Sequence, residues 1–376
     1  MTHLFDPLTL RGVTFRNRIG VSPMCQYSST DGLANDWHLV HLGARAVGGA
    51  GLIIMEDTAV LPEGRITLAD NGLWSDDHIA PLGRVTSFLK AHGAVPGIQI
   101  GYAGRKGSTT IPWEGGRPQG EGRSLRTEEG AWETLAPSAE AFGGEREAVP
   151  RAMTQDDIAR VQAAFAQAAR RADAAGFDLL ELHGGWGYIF QQFYSPVANH
   201  RTDGYGGGFA QRARFTAETV RAVRQVWPDR KPLAFRMAAT DWIDGGWTPE
   251  EAVELARLLK GEGVDLVDVI SAAVAPQARV PWGPLFQVPF SERIRREAGV
   301  ATTAVGFITE ASEAQAIVAD GKADLVLLAR AMLRDPHWPV RAAEALGVGD
   351  RITFPNQYEH WLSGRPGSRP LGDRHA

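Results

Sequence analysis

The chain has 376 residues, 44% of them hydrophobic and 22% charged, a balance that supports a packed globular core and excludes a disordered chain. Thirty-nine Lys and Arg against 44 Asp and Glu leave a net charge of −5, so no basic excess is available to condense on a phosphate backbone and nucleic acid is not an expected partner. Cys25 is the only cysteine, which excludes an internal disulfide framework and a cysteine-based metal site and suits a reducing cytoplasm.

Met1 to Arg18 lacks the basic start and apolar run of a signal peptide, and no apolar run approaches a bilayer's thickness, so neither export nor a membrane partner is expected. Short apolar, β-rich runs then recur along the chain, each followed by a segment of helical periodicity. The eight runs are Asn17 to Ser22, Gly51 to Glu56, Pro96 to Ile100, Asp178 to His183, Leu233 to Met237, Leu266 to Ile270, Ala301 to Val305 and Asp324 to Ala329. Their near-continuous hydrophobicity fits strands covered on both faces, and eight repeats predict a closed (β/α)8 TIM barrel, a single domain over residues 1–363. Two tandem α/β domains would need a linker near the middle, and none is present.

Helix punctuation agrees. Thr154 and Asp157 open a helix to Ala175, and Thr248-Pro249-Glu250-Glu251 supplies an N-cap, a first-turn proline and a capping-box glutamate before Ala252 to Leu259. His38 and His41 share a helix without a third ligand and read as packing or capping residues; no metal is expected. Residues 101–150 hold 10 Gly and 4 Pro, so residues 105–150 form a long excursion after the third strand that covers one mouth, with Trp113 and Trp132 as lid aromatics. Trp37, Trp74 and Trp227 read as core. Residues 364–376 are a polar tail expected to be disordered.

Polar residues gather where the strands end: Ser22 to Tyr27, Glu56-Asp57-Thr58, Gln99 with Gly101 to Lys106, His183 to Tyr188, Arg236, Gly306-Phe307 and Ala329-Arg330. In a (β/α)8 barrel all of these face one mouth. Gly306 and Arg330 end strands seven and eight, where such barrels bind phosphate through backbone N–H groups and a basic side chain. No stretch completes G-x-G-x-x-G or a P-loop, so a mononucleotide cofactor fits better than a dinucleotide on a Rossmann unit.

The motifs Ser22-Pro23-Met24-Cys25-Gln26-Tyr27, Gly97-Ile98-Gln99, Ala103-Gly104-Arg105-Lys106, Ala136-Pro137-Ser138 and, from Ser195-Pro196 to Arg212-Ala213-Arg214-Phe215, a long further match resemble the Old Yellow Enzyme family. The resemblance covers residues 3–363 and is nearest to the branch of xenobiotic reductase A and the thermophilic-like enzymes. It implies bound FMN, NADPH or NADH as co-substrate, and reduction of the C=C bond of a small activated alkene, an α,β-unsaturated carbonyl compound. Ser22, Pro23, Met24 and Cys25 would lie along the flavin with Asp57 beside it, Gln99 would bond its pyrimidine end, and Arg236 would supply a fixed positive charge. Gly306, Phe307, Ala329 and Arg330 would take the phosphate. His183 would bind the substrate carbonyl, Tyr188 would donate a proton, and Tyr27 would touch substrate. A homodimer or larger even assembly is implied, with Trp361 reaching a neighbouring protomer's site.

Departures from the family pattern fall on the substrate side, at Asp57 beside the flavin, and at Gly208 and Gln211, where the family has Ser and Asn in a stretch that shapes a loop. Trp186 stands where the family has a second His or Asn, Tyr102 where relatives carry His, and Asp57 where they carry Ala. An indole N–H donates but cannot accept or carry charge. Asp57 either adds negative charge near the flavin or turns to bond a loop. With Trp186, Tyr102, Trp282 and Trp361, the substrate site reads as remodelled and more aromatic. Two alternatives stay open: a desaturase or oxidase acting on carbonyl compounds, and a flavin-binding protein without turnover.

Overall fold

A computed structural model describes residues 1–114 and 122–362. Its strands β1 (Ile19–Val21), β2 (Leu52–Ala59), β3 (Val95–Gly101), β4 (Leu179–Gly184), β5 (Leu233–Ala238), β6 (Leu266–Ile270), β7 (Ala301–Ala304) and β8 (Leu325–Leu328) pair in parallel, each with the next. β8 returns to β1 through Val326↔Ile19 and Leu328↔Val21, so the sheet closes. Eight helices lie outside it: α1 (Asp36–Val47), α2 (Ile79–Ala91), α3 (Gln155–Ala174), α4 (Phe209–Arg224), α5 (Pro249–Gly261), α6 (Val288–Ala298), α7 (Ala311–Ala319) and α8 (Trp338–Ala345). This is the (β/α)8 barrel that the eight repeats predict.

Strand alternation builds two cores. Leu52, Ile54, Leu179, Ala234, Leu266 and Leu325 turn into the barrel, whereas Ile53, Met55, Leu180, Phe235, Val267 and Val326 face the helices. Gly20 shows how tight the interior is: a Cβ there would lie 2.3 Å from Leu327 Cδ2. An antiparallel hairpin, Leu8–Leu10 with Val13–Phe15, adds Val13 and Phe15 to the inner apolar layer. Its strands are too short to stand out as periodic runs in the sequence.

The helix starts form as their sequences dictate. Thr154 accepts from Asp157 N at 3.1 Å while Asp157 accepts from Thr154 N, and Thr248 and Glu251 make the same reciprocal box before α5. Each such cap is worth about 1 kcal/mol. Trp227 is buried and Trp74 half-buried, but Trp37 is a correction: it is 55% exposed in the first turn of α1, where its indole donates to Gln26 Oε1 at 3.0 Å. That turn faces solvent, so a large aromatic was no sign of burial there.

The segment after β3 runs irregularly to a two-residue ladder, Leu135–Ala136 with Arg151–Ala152. Trp132 donates to Glu63 O at 2.9 Å, and Trp113 meets Tyr27 edge-on at 6.0 Å. The polar tail at 364–376 lies outside the described residues. Among the described residues, no helix is long and apolar enough to cross a membrane.

Candidate active site

Above the inner apolar layer the same alternation puts polar side chains inside the barrel. Arg236 on β5 lies beside His183 on β4 and Asp268 on β6, and Gln99 on β3 lies beside Glu181 on β4. The Arg236 guanidinium bonds Asp268 and donates to Ser22 Oγ at 2.8 Å, with Glu181 Oε1 at 3.7 Å. Gln99 Nε2 donates to Glu181 Oε1 at 2.7 Å, and Thr303 Oγ1 donates to Asp268. Burial, then the Asp268 charge, pushes the Glu181 carboxyl well above the usual carboxylate range. The result is a hydrogen-bonded belt beneath the mouth, centred on one cation.

Motif reading found Gln99, Arg236 and Ser22 but missed Glu181, Asp268 and Thr303. The signal was there: a charge within Leu-Leu-Glu-Leu or Leu-Val-Asp-Val, apolar on both sides, cannot be buried without a partner.

At the mouth, Cys25, Tyr27, Ile66, Ala103 and Tyr188 form one small cluster. The rings of His183 and Tyr188 meet edge to face, 4.9 Å apart at 81°. His183 is buried, and burial followed by the charges of Arg236 and Lys106 drives its pKa well below the usual imidazole value. Its Nδ1 accepts from Gly185 N at 3.4 Å, a long bond that assigns the proton to Nε2. Burial, then Asp57, Asp70 and Glu56, pushes the Cys25 thiol up, so it stays protonated at neutral pH.

Asp57, from the end of β2, is buried against Gly101, and its Oδ1 has no hydrogen-bond partner. Burial, then the charge of Asp70, pushes its carboxyl well above the carboxylate range. Trp186 sits on a left-handed backbone with φ 54 and is 41% exposed at the rim, unlike the buried His183.

Tyr102 is not brought to this cluster. It is fully buried in the core between barrel and helices, its ring against Gly64, while its neighbour Ala103 packs on Tyr188. This corrects the expectation that Tyr102 lines a substrate pocket: alternation continues past the end of β3 and turns it outward. Trp361 lies on the terminal helix Asn356–Leu362, whose seven residues are all exposed, with its ring against His360.

The ends of β7 and β8 form the other half of the mouth. Gly306 has φ 110, and a Cβ there would come within 3.0 Å of Gln287 Nε2. Phe307 follows, with the Arg330 guanidinium 4.3 Å above its ring. Trp282, 63% exposed, packs edge-on to Phe286 at 5.3 Å and Phe307 at 6.1 Å. Ala329 precedes the short helix Arg330–Arg334.

These donors fit an FMN. Gln99 turns its amide nitrogen to Glu181, leaving its carbonyl oxygen as an acceptor for a ring N–H, and Arg236 and Ser22 lie beside it. A backbone without a side chain at Gly306 and the Arg330 guanidinium suit a phosphate.

The model of the NADH:flavin oxidoreductase / NADH oxidase family matches residues 3–348. The NADPH dehydrogenase of Geobacillus sp. (strain WCH70) is 46% identical over 360 residues, covering 95% of this chain and 98% of its own. Among solved structures, morphinone reductase superposes with a TM-score of 0.75 at 27% identity, over 95% of this chain and 92% of its own. Histamine dehydrogenase from Rhizobium sp. 4-9 gives 0.77 at 28% identity over 93% of this chain, which spans 48% of that longer protein.

Proposed function

Because the chain belongs to the FMN-dependent NADH:flavin oxidoreductase / NADH oxidase family, the Old Yellow Enzyme family, we propose that it is an NAD(P)H-dependent ene-reductase acting on α,β-unsaturated carbonyl compounds. The observation that carries this reading is the buried pair His183 and Tyr188, ring against ring at 4.9 Å. It combines a neutral hydrogen-bond donor with a hydroxyl that can give up a proton, which flavin binding alone does not need.

Bound FMN supplies acceptance of a hydride from the reduced nicotinamide and its delivery to the β carbon of the acceptor. Gln99, Arg236 and Ser22 would hold its polar end, Pro23, Met24 and Cys25 would lie along the ring, and Gly306, Phe307, Ala329 and Arg330 would take the phosphate. The His183 Nε2–H bonds the substrate carbonyl, where negative charge grows in the transition state, and a donor fixed in a dry site stabilises that charge without reorganising. Tyr188 gives its hydroxyl proton to the α carbon. Tyr27, beside Cys25, closes the substrate side. Cys25, whose thiol burial pushes up, adds no negative charge near the substrate carbonyl, and burial likewise works against a charge on Asp57.

The test is anaerobic. The protein is reduced with NADPH, 2-cyclohexenone is added, and the flavin absorbance is followed. Bleaching and then rapid recovery are expected. Tyr188→Phe is expected to slow recovery by about 10²- to 10⁴-fold, the usual worth of a general acid. Recovery equally fast in Tyr188→Phe removes the proton-donor role, and bleaching that no enone reverses removes the ene-reductase reading.

A further inference from the structure

Lys106 is 1% exposed, although it lies in the turn that follows β3. Its ammonium donates to the carbonyl oxygens of Trp186 at 2.8 Å and Ala273 at 3.3 Å. It also stands 4.6 Å from the ring centre of Phe142 and 5.5 Å from that of Tyr188. One cation therefore joins the loops after β3, β4 and β6 to the long excursion.

The two carbonyls it holds belong to strained backbone. Trp186 has φ 54 and Ala273 φ 74, and between them the adjoining Gly187 and Ala272 have φ 73 and 74. Non-glycine residues held there are strained and persist only where the surroundings over-determine them. A Cβ on Gly187 would lie 2.1 Å from Ala273 O, so the two loops press directly together at this point. The strained turn is also the one that separates His183 from Tyr188. Nothing in the sequence motif Ala-Gly-Arg-Lys points to this contact, because its acceptors lie 80 and 167 residues away.

We propose that Lys106 is the positioning residue of the proton-donating side: it locks the strained turn that carries Tyr188 and, through its charge beside the ring, makes the phenol a better acid. This deepens the reading of Tyr188 as proton donor and rests on it. When the Tyr188 O–H bond breaks and a C–H bond forms at the α carbon, the phenolate left behind faces a cation, and solvent returns the proton afterwards. A nearby positive charge favours the charged form of a phenol. The same ammonium disfavours an imidazolium at His183, so one cation sets both partners for their separate tasks.

Two variants separate charge from hydrogen bonding. Lys106→Gln keeps donors for the carbonyls and loses the charge, whereas Lys106→Met loses both and keeps the length of the stem. Phenolate absorbance of the holoenzyme is titrated with alkali, and the share of Tyr188 is isolated by subtracting the Tyr188→Phe protein in each background. The Tyr188 midpoint is expected to rise by about one pH unit in both variants, and the pH profile of enone-dependent flavin reoxidation to move with it. An unchanged Tyr188 midpoint in Lys106→Gln overturns the proposal, and that variant decides the matter should Lys106→Met fail to fold. The titration needs no acceptor, so a protein that turns over no enone refutes the ene-reductase reading while the role of Lys106 is still decided.

Discussion

At the scale of single residues, the departures from the family pattern have different physical meanings. Asp57 is a charge change in the sequence that the fold opposes, because burial, then the charge of Asp70, pushes its carboxyl well above the usual carboxylate range. The electrostatic ground for an oxidative enzyme, a carboxylate that makes reduction harder, is weakened by the same burial. Tyr102 changes nothing at the mouth, since it packs in the outer core while Ala103 takes the inner position. Trp186 is the departure that bears on chemistry. It occupies the turn between His183 and Tyr188, and its indole replaces a group that could be a second donor to the substrate oxygen. Trp186→His is expected to raise kcat/KM for 2-cyclohexenone about tenfold by adding a second donor to the growing oxyanion. Steady-state kinetics on the two proteins check this, and equal values dispose of the two-armed clamp.

At the scale of elements, α1 carries a titration that the fold imposes. Asn35 caps it, the His38 Nδ1 accepts from Asn35 N at 3.0 Å, and the His38 Nε2 lies 3.1 Å from Glu56 Oε1 on β2. One turn on, burial, then Arg45 and His38, push the His41 pKa down to about 3. In the unfolded chain this imidazole titrates near its ordinary value of about 6.5. As pH falls below that value the unfolded state takes up the proton first, so stability is lost on acidification until the folded pKa is reached. The slope is at most about 1.4 kcal/mol per pH unit. Asp70 has the opposite sign: burial raises its pKa to about 6, so the stability linked to its proton is lost as pH rises through that value. Asp70 acts equally in a His41→Gln variant, so comparing the two proteins isolates His41. Between about pH 7 and about pH 5 the wild-type melting temperature is expected to fall further than that of His41→Gln, and parallel falls would refute the assignment.

At the scale of the whole molecule, the barrel is divided along its axis into an apolar layer, a polar belt and the mouth. The belt binds five strands and β1's trailing Ser22 through one guanidinium, and removing it strands two carboxyl groups in a dry interior. Arg236→Met is therefore expected to cost about 3–5 kcal/mol, as for other broken buried ion pairs, together with FMN retention. Urea unfolding and the flavin content of the purified protein measure both, and a variant of wild-type stability removes the belt from the account of the fold. The eight strands, their order and the helix caps were legible in the amino-acid sequence because they rest on local periodicity and on residues three positions apart. So was the gathering of Gln99, His183, Arg236 and Arg330 at strand ends, because barrel topology sends every strand end to the same mouth. The tertiary structure alone decided that Glu181 and Asp268 share Arg236, that burial pushes the Asp57 carboxyl up, that Tyr102 turns outward and that Lys106 reaches Tyr188. Each of these depends on register, on desolvation or on contacts between segments far apart in the chain, and none of those quantities exists until the barrel has closed.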